Sequence, residues 1–366
     1  MPIDQAQHEF FMQLALKIGE KGRISAPPNP WVGCVIVKDG EILGEGYHEA
    51  PGKPHAEVVA IEAAKGRARG ATAYVTLEPC AHFGRTPPCV KTILESGLSR
   101  VVIPFLDPDP LVSGKGKGAL EEKGIEVLVG ICAEEAKKSL APYLHHRKTG
   151  MPYVVLKCAL SLDGKIAAAD GASFWITGEE ARQDVHWQRA SSQAILIGAK
   201  TALLDKPRLT VRGIEGASIP LRVIVDAKGI LPAEGPLFEK ALGKTLIFTT
   251  SECPKKSRIA WEEKGCQVID LPSSQEGVDL KDLCKILGEW GVIQLLVEGG
   301  GTLFQSFFEQ KLFQRLSLYY GACLIGANGH SFYLKESAIL SDAQRLTLDS
   351  LSRFGNDLRL DYLSGS

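Results

Sequence analysis

Neither sign of charge prevails in this chain: 42 lysines and arginines stand against 43 aspartates and glutamates in 366 residues. That balance removes the broad positive field with which a protein holds a polyanion, so no nucleic acid is expected as a partner. Also missing is any run of about 18 uncharged apolar residues, the length that spans a membrane. The opening MPIDQAQHEFFMQLAL has neither the basic start nor the unbroken apolar stretch of a secretory signal, so a soluble, cytoplasmic protein is expected. There is no fixed-period repeat and no low-complexity tract. The nine cysteines form an odd set scattered from Cys34 to Cys323, and a chain of this length needs no disulfide staples. Reduced thiols, some of them metal ligands, are expected. What is present is ordinary globular material, 45% hydrophobic and 23% charged, in a length that suits two or three domains.

Trp31 to Val37 reads as a buried strand, Lys38-Asp39-Gly40 as a turn, and Ile42 to Tyr47 as the returning arm of a β-hairpin. His55 to Lys65 sets Val58, Ile61 and Ala64 at helical spacing, and Ala71 to Leu77 resumes strand character. A helix near Val90 to Ser96, a strand at Arg100 to Pro104, a helix near Ala119 to Lys123 and a strand at Ile125 to Val129 continue the alternation of an α/β unit. A helix from about Glu134 to His145 closes it. The polar stretch His146 to Pro152 breaks the pattern and sets a boundary near residue 149, giving units 1–148 and 149–366. Apolar runs at Tyr153 to Leu156, Ala194 to Ile197, Arg222 to Val225, Thr245 to Phe248, Gln267 to Ile269 and Gln294 to Val297 then predict a second α/β sheet. The tail from Leu346 to Leu363 alternates about Gly355-Asn356 as a terminal antiparallel pair.

Two features of the first unit carry chemistry: His55-Ala56-Glu57 at the head of a predicted helix, and Pro79-Cys80 with Cys89 after a predicted strand. One imidazole and two thiolates make three ligands for Zn²⁺. A tetrahedral catalytic site leaves its fourth position to water, whose pKa the metal lowers towards about 7. Glu57, two residues from His55, is placed to move the proton. H-x-E followed by P-C is the pattern of the zinc nucleobase deaminases, except that Cys80 and Cys89 lie nine apart rather than three. Gly84, Pro87 and Pro88 let the chain loop out and return with Cys89 at a helix N-terminus, where a thiolate is favoured. Cys34, Cys132, Cys158, Cys253, Cys266, Cys284 and Cys323 have no such companions and read as structural. His82 and Arg85, between the ligand cysteines, read as phosphate contacts or as a solvated loop. Asn29, between two prolines, reads as a turn residue or as an amide that pairs with the edge of a ring.

The stretches NPWVGCVIV (29–37), HAEVVAI (55–61), TLEPCAHFGRTPPC (76–89) and DPDPLVSGKG (107–116) resemble the deaminase half of the bifunctional riboflavin-biosynthesis deaminase/reductases. In that family too the loop between the cysteines is long. The resemblance implies a cytidine-deaminase-like α/β/α fold, a base-reading role for Asn29 and substrate contact by His82. Asp109 stands where the family usually has Asn, and no role is assigned to it.

In the second unit LLVEGGGTLF (295–304) ends an apolar strand in three glycines and opens a helix, which lets backbone N–H groups approach a phosphate. The spacing is not that of a Rossmann turn, and a glycine-rich turn alone is more often only a tight turn. LKCALSLDGKIA (156–167), SFWITG (173–178) and the segment 181–212 resemble the reductase half of the same family, which has a dihydrofolate-reductase-like α/β fold. The resemblance implies that Lys157, Ser173, Arg189, Asp205, Leu209, Arg212 and Glu298 face the ribosyl-phosphate substrate. It places Ala159, Trp175, Thr201, Gly300, Gly301 and Thr302 on NADPH, with Asp205 also on the cofactor side as a holder of hydroxyls. Arg189 and Arg212 are the expected phosphate clamps, and Lys157 with Glu298 the groups that polarise or protonate the sugar as hydride arrives at C1. Read alone, Trp175 is equally a core residue. Lys206 stands where the family commonly shows an acidic or amide residue.

The implied activity is zinc-dependent hydrolytic deamination of 2,5-diamino-6-ribosylamino-4(3H)-pyrimidinone 5′-phosphate. Reduction of the ribosyl group to ribityl by NADPH follows, giving 5-amino-6-ribitylamino uracil 5′-phosphate. A dimer or tetramer is implied as well. Three alternatives differ in checkable features. A nucleic-acid base editor needs a basic, aromatic surface. A structural zinc protein closes all four ligand positions. A deaminase with a binding-only second domain lacks reductase activity.

Overall fold

The chain divides after Gly150 into two units, each built on its own sheet. The computed structural model describes residues 4–84, 87–110, 112–173, 175–274, 277–334 and 343–365. The first unit runs α1 (Gln5–Gly19), β1 (Gly33–Lys38), β2 (Glu41–Tyr47), α2 (Ala56–Ala63), β3 (Thr72–Val75), α3 (Cys89–Ser96), β4 (Arg100–Ile103), α4 (Lys115–Glu122), β5 (Glu126–Val129), α5 (Ala133–Ser139) and α6 (Ala141–Thr149). Its sheet has the order β2-β1-β3-β4-β5, with β1 antiparallel to both neighbours and β3, β4 and β5 parallel.

The two-residue period of the strands builds the layers. Val35, Val37, Tyr74 and Val102 pack under Phe11, Met12, Ala15 and Ile18 of α1. Cys34, Ile36, Val75, Val101 and Ile103 point the other way, onto Ala56 and Ala60 of α2, Ile93 of α3 and Leu120 of α4. The result is the expected α/β/α sandwich. Helix α1 is an addition to the expected elements. Its start carries a capping box, in which Asp4 accepts from the Gln7 N–H and the Gln7 side chain accepts from the Asp4 N–H. The helix foreseen over Glu134 to His145 is two helices meeting at Leu140. The polar run His146 to Thr149, read as a break, is the last turn of α6: its basic residues suit a helix C-terminus, and Gly150 caps it at φ 71°.

The second unit runs β6 (Tyr153–Leu160), β7 (Lys165–Ala167), α7 (Glu179–Ala190), β8 (Ala194–Gly198), α8 (Ala199–Asp205), β9 (Leu221–Val225), β10 (Thr245–Thr249), α9 (Lys255–Glu263), β11 (Gln267–Asp270), β12 (Ser273–Ser274), β13 (Gly277–Val278), α10 (Leu280–Glu289), β14 (Gln294–Val297), α11 (Gly301–Glu309), β15 (Arg315–Tyr320), β16 (His330–Ser331), β17 (Leu346–Phe354) and β18 (Asp357–Ser364). Nine strands form one sheet in the order β11-β10-β9-β8-β14-β6-β15-β18-β17. The first seven are parallel, and the β17–β18 hairpin adds the foreseen antiparallel edge, turning at Gly355. Buried on both faces, the parallel strands read as unbroken apolar runs.

Parity along β6 decides where chemistry sits. Val154, Leu156, Cys158 and Leu160 face the core formed with α10 and α11, where Leu283, Leu287, Phe304 and Phe307 lie. Lys157 and Ala159 therefore point to the opposite face, where α7 packs through Ala181 and Val185 against Tyr319.

Candidate active sites

In the first unit the ligands sit at two helix starts and one strand exit. His55 is the N-cap of α2 and Cys89 the first residue of α3, while Cys80 lies five residues beyond the end of β3. Glycine permits the approach of α2 to the hairpin: a Cβ on Gly44 would lie 2.2 Å from the Ala60 carbonyl oxygen, and one on Gly46 2.4 Å from that of Ala56. The His55 Nδ1 lies 3.1 Å from the Cys89 sulfur and 3.6 Å from the Cys80 sulfur, and the three donor atoms all fall within 4.8 Å of one another. Around a tetrahedral zinc such atoms stand about 3.5–3.8 Å apart, so the trio fits one ion.

The two sulfurs do not share charge equally. The Cys89 thiol and backbone N–H (3.4 Å), together with His55, stabilise negative charge on Cys80, whose pKa is held down to about 4, and Cys89 is pushed far up in compensation. Glu57, in the first turn of α2, is buried; burial and then the Cys80 charge raise its pKa. Its carboxyl reaches the Cys89 thiol.

Asn29 is fixed by a residue that sequence reading passed over. The Asn29 Nδ2 lies 3.0 Å from His48 Nε2, and His48 Nδ1 donates to the Pro54 carbonyl at 3.2 Å. Because His48 donates through Nδ1, its Nε2 accepts from the amide nitrogen, which leaves the Asn29 carbonyl oxygen available. The His48 ring also stands edge-on to His55, with centroids 5.0 Å apart. His82 is exposed in the loop between the cysteines; Arg85 lies outside the described residues.

Glu78 was also missed. Fully buried, its carboxylate accepts from the backbone N–H groups of Asp107 (3.1 Å), Gly114 (3.0 Å) and Lys117 (3.0 Å). It thereby ties the loop before α4 to the segment that carries Cys80. Gly116 allows this, since a Cβ there would lie 2.0 Å from the Pro79 carbonyl oxygen. Two residues before a ligand, a buried acid was the available signal.

In the second unit Arg189 of α7 and Glu298, just past β14, form a bidentate pair at 2.6 and 2.7 Å, with side chains 15% and 11% exposed. A further Arg189 N–H donates to the Thr210 carbonyl at 3.2 Å. Arg189, expected as a phosphate clamp, thus spends three of its five N–H groups inside the protein. Glu298 is held down to about 2: burial alone would raise it, but Arg189 and then Lys157 overcome that. Lys157 is lowered by burial, against the attraction of Glu298, and its ammonium lies 5.6 Å over the Tyr319 ring. The Tyr319 hydroxyl donates to Asp184, which also receives Arg359, each at 2.5 Å.

Gly300 caps α11 with no side-chain hydrogen bond, and the Leu303 N–H turns back to the Gly300 carbonyl at 3.1 Å, which leaves the N–H groups of Gly301 and Thr302 at the end of the helix where an anion is favoured. A Cβ on Gly300 would make ordinary contact with the Thr201 hydroxyl at 3.4 Å, whereas one on Gly301 would crowd the Ser331 carbonyl oxygen at 3.0 Å. Thr201 and the glycine turn are therefore brought together, with Thr302 next along α11. Trp175 is 68% exposed, not core, and stacks at 4.2 Å on the Arg182 guanidinium. Ser173 and Ala159 are half-buried, and the Asp205 carboxyl is raised by burial. Leu209 is buried at a left-handed φ of 50°.

Residues 152–360 match the family described as the RibD C-terminal domain, and residues 5–104 match the cytidine and deoxycytidylate deaminase zinc-binding region. The chain is 47% identical to the riboflavin biosynthesis protein RibD of Chlamydia trachomatis over 358 residues, covering 96% of this chain and 95% of that protein. It is 38% identical to RibD of Escherichia coli over 367 residues, covering 97% and 98%. Form 1 of Acinetobacter baumannii RibD superposes with a TM-score of 0.90 at 37% identity, covering 99% of this chain and 100% of that one. A diaminohydroxyphosphoribosylaminopyrimidine deaminase/5-amino-6-(5-phosphoribosylamino)uracil reductase from Thermotoga maritima superposes at 0.86 and 35%, covering 99% of each chain. With a candidate zinc-ligand trio in one unit and a glycine turn beside a half-buried Lys-Glu-Arg group in the other, the chain belongs to the bifunctional RibD family of riboflavin-biosynthesis deaminase/reductases.

Proposed function

We propose that Glu57 carries the protons of the deamination and Lys157 those of the reduction, on one pyrimidine ribosyl phosphate that meets the two sites in turn. The observation that carries this reading is the convergence of His55, Cys80 and Cys89 with Glu57 buried beside them. When bound, zinc supplies an activated water and NADPH a hydride. In the first step water adds to the amine-bearing ring carbon of 2,5-diamino-6-ribosylamino-4(3H)-pyrimidinone 5′-phosphate; Glu57 takes a proton from the water and delivers it to the departing nitrogen. The C–N bond breaks, ammonia leaves and a ring carbonyl remains. Asn29, its amide set by His48, presents its carbonyl oxygen to the ring edge.

In the second step the ribosyl ring opens, its C1–O bond breaking as the ring oxygen takes a proton and C1 becomes an imine carbon; hydride then adds to C1 and a proton to the attached nitrogen, giving the ribityl chain. Glu298, kept ionised by Arg189, is a poor proton donor at neutral pH. Lys157, its pKa lowered by burial, is the better one, and Glu298 holds it in place by charge. Arg212 is exposed and takes the substrate phosphate. All nine thiols are free, which supports a reducing, cytoplasmic setting, and a dimer or tetramer is the assembly we expect.

Replacing Glu57 by Gln and following ammonia release tests the first role; an undiminished rate removes it. For the second, NADPH absorbance is followed with the deaminated intermediate supplied directly. If Lys157→Met oxidises NADPH as fast as the unaltered enzyme, Lys157 is not the donor.

A further inference from the structure

Helix α7 presents His186 and Arg189 three residues apart, on one face. Arg189 is committed to Glu298 and to the Thr210 carbonyl. Arg212 is not: its hydrogen bond among the described residues runs from Nε to His186 Nε2, at 3.2 Å. A bond through Nε uses the guanidinium edge nearest the main chain and leaves both terminal nitrogens, four N–H groups, to form a paired contact with an anion. For Nε2 to accept, the imidazole must be neutral with its proton on Nδ1. Nδ1 is buried without a hydrogen bond of normal geometry, though the Thr210 carbonyl is near enough to favour its proton. Burial and the flanking Arg189 and Arg212 cations disfavour a second proton, and they outweigh Glu298. A neutral ring is thus the one bridge that sits between two guanidiniums without repelling either.

We propose that His186 is a positioning residue for the phosphate end of the reductase substrate: by accepting from Arg212 Nε it aims the two outer nitrogens of Arg212 at that phosphate. The proposal rests on the reading that Arg212 meets the phosphate, and the test separates the two. NADPH oxidation is measured with the deaminated intermediate and with the same compound lacking its 5′-phosphate. One charge-assisted hydrogen bond corresponds to about tenfold in binding. His186→Leu therefore raises KM for the phosphorylated compound about tenfold, with kcat unchanged and the dephosphorylated compound unaffected. His186→Gln, whose amide oxygen reaches the Nε2 position, restores most of the loss, whereas His186→Asn, with its oxygen at the Nδ1 position, does not. In an Arg212→Ala background His186→Leu adds nothing.

If Arg212→Ala raises KM for the phosphorylated compound and His186→Leu does not, the positioning role fails and the phosphate reading stands. If Arg212→Ala leaves KM unchanged, the phosphate reading itself fails. A loss of kcat with both compounds would mark His186 as structural and overturn the proposal. Should His186→Leu not fold, the Gln and Asn variants decide: equal KM values in the two overturn it.

Discussion

In the first unit three candidate ligand atoms face one another within 4.8 Å; in the second, Arg189 and Glu298 already neutralise each other. One site is completed by an ion, and the other is assembled from the protein's own charges. The contrast predicts where damage will be confined. His55→Ala removes a ligand, so zinc content measured by elemental analysis should fall well below one equivalent, and ammonia release should drop by about 100-fold or more. NADPH oxidation with the deaminated intermediate should be unchanged. A parallel loss of reductase activity would break the comparison.

The mirror experiment strikes the second unit. Glu298→Gln leaves Arg189 buried without its countercharge, which costs about 3–5 kcal/mol. Denaturant unfolding should show this in the second unit while zinc content stays intact. Arg189→Met added to Glu298→Gln should recover much of the stability, since removing both charges is far cheaper than stranding one. A double variant as unstable as the single one would mean that the pair is not the source of the loss.

The difference between the sites also explains what could be read in advance. His55, Glu57, Cys80 and Cys89 lie in two short stretches whose residue types already imply a metal, and the strand-to-helix alternation around them predicts convergence. Lys157, Arg189, Arg212 and Glu298 come from four separate segments, and no spacing joins them; only the family resemblance grouped them. His48, His186 and Tyr319 carry no signal in their neighbours, because each acts through a contact across the fold: to Asn29, to Arg212 and beneath Lys157. Helix α1 is legible in principle, since Phe11, Ala15 and Ile18 follow helical spacing behind an Asp4–Gln7 capping box. The end of α6 was misread because basic residues and glycine mark a helix C-terminus as well as a linker.

Glu78 sharpens the comparison within the first unit, where a protein charge, rather than an ion, holds Asp107, Gly114 and the first turn of α4. Glu78→Gln keeps the shape but turns an NH₂ group towards backbone donors, and losing part of three charge-assisted bonds costs about 2–4 kcal/mol. Chemical denaturation measures the cost, and zinc affinity should weaken with it because Cys80 follows two residues later. Unchanged zinc affinity would separate the tether from the metal site.

The smallest effect sets the two units against each other in pH. Asp107 is buried; burial raises its carboxyl to about 6 despite bonds from the Asp109 N–H and the Tyr143 hydroxyl. An acid whose folded pKa lies above its unfolded value of 3.8 adds stability that is full below 3.8 and lost as pH rises through about 6. Glu298, held down to about 2, behaves in the opposite sense: its contribution is full above 4.5 and lost as pH falls through about 2. Between pH 5 and 7 the first unit should therefore lose about 1 kcal/mol through Asp107, while Glu298 changes almost nothing in the second. Carboxyl NMR should show Asp107 titrating near 6 with Glu298 silent over that range, and Asp107→Asn should flatten the first unit's dependence. A Glu298 signal that moves between pH 5 and 7 would mean that Arg189 does not hold its charge, and the contrast between a site completed by an ion and a site neutralised by its own side chains would fail.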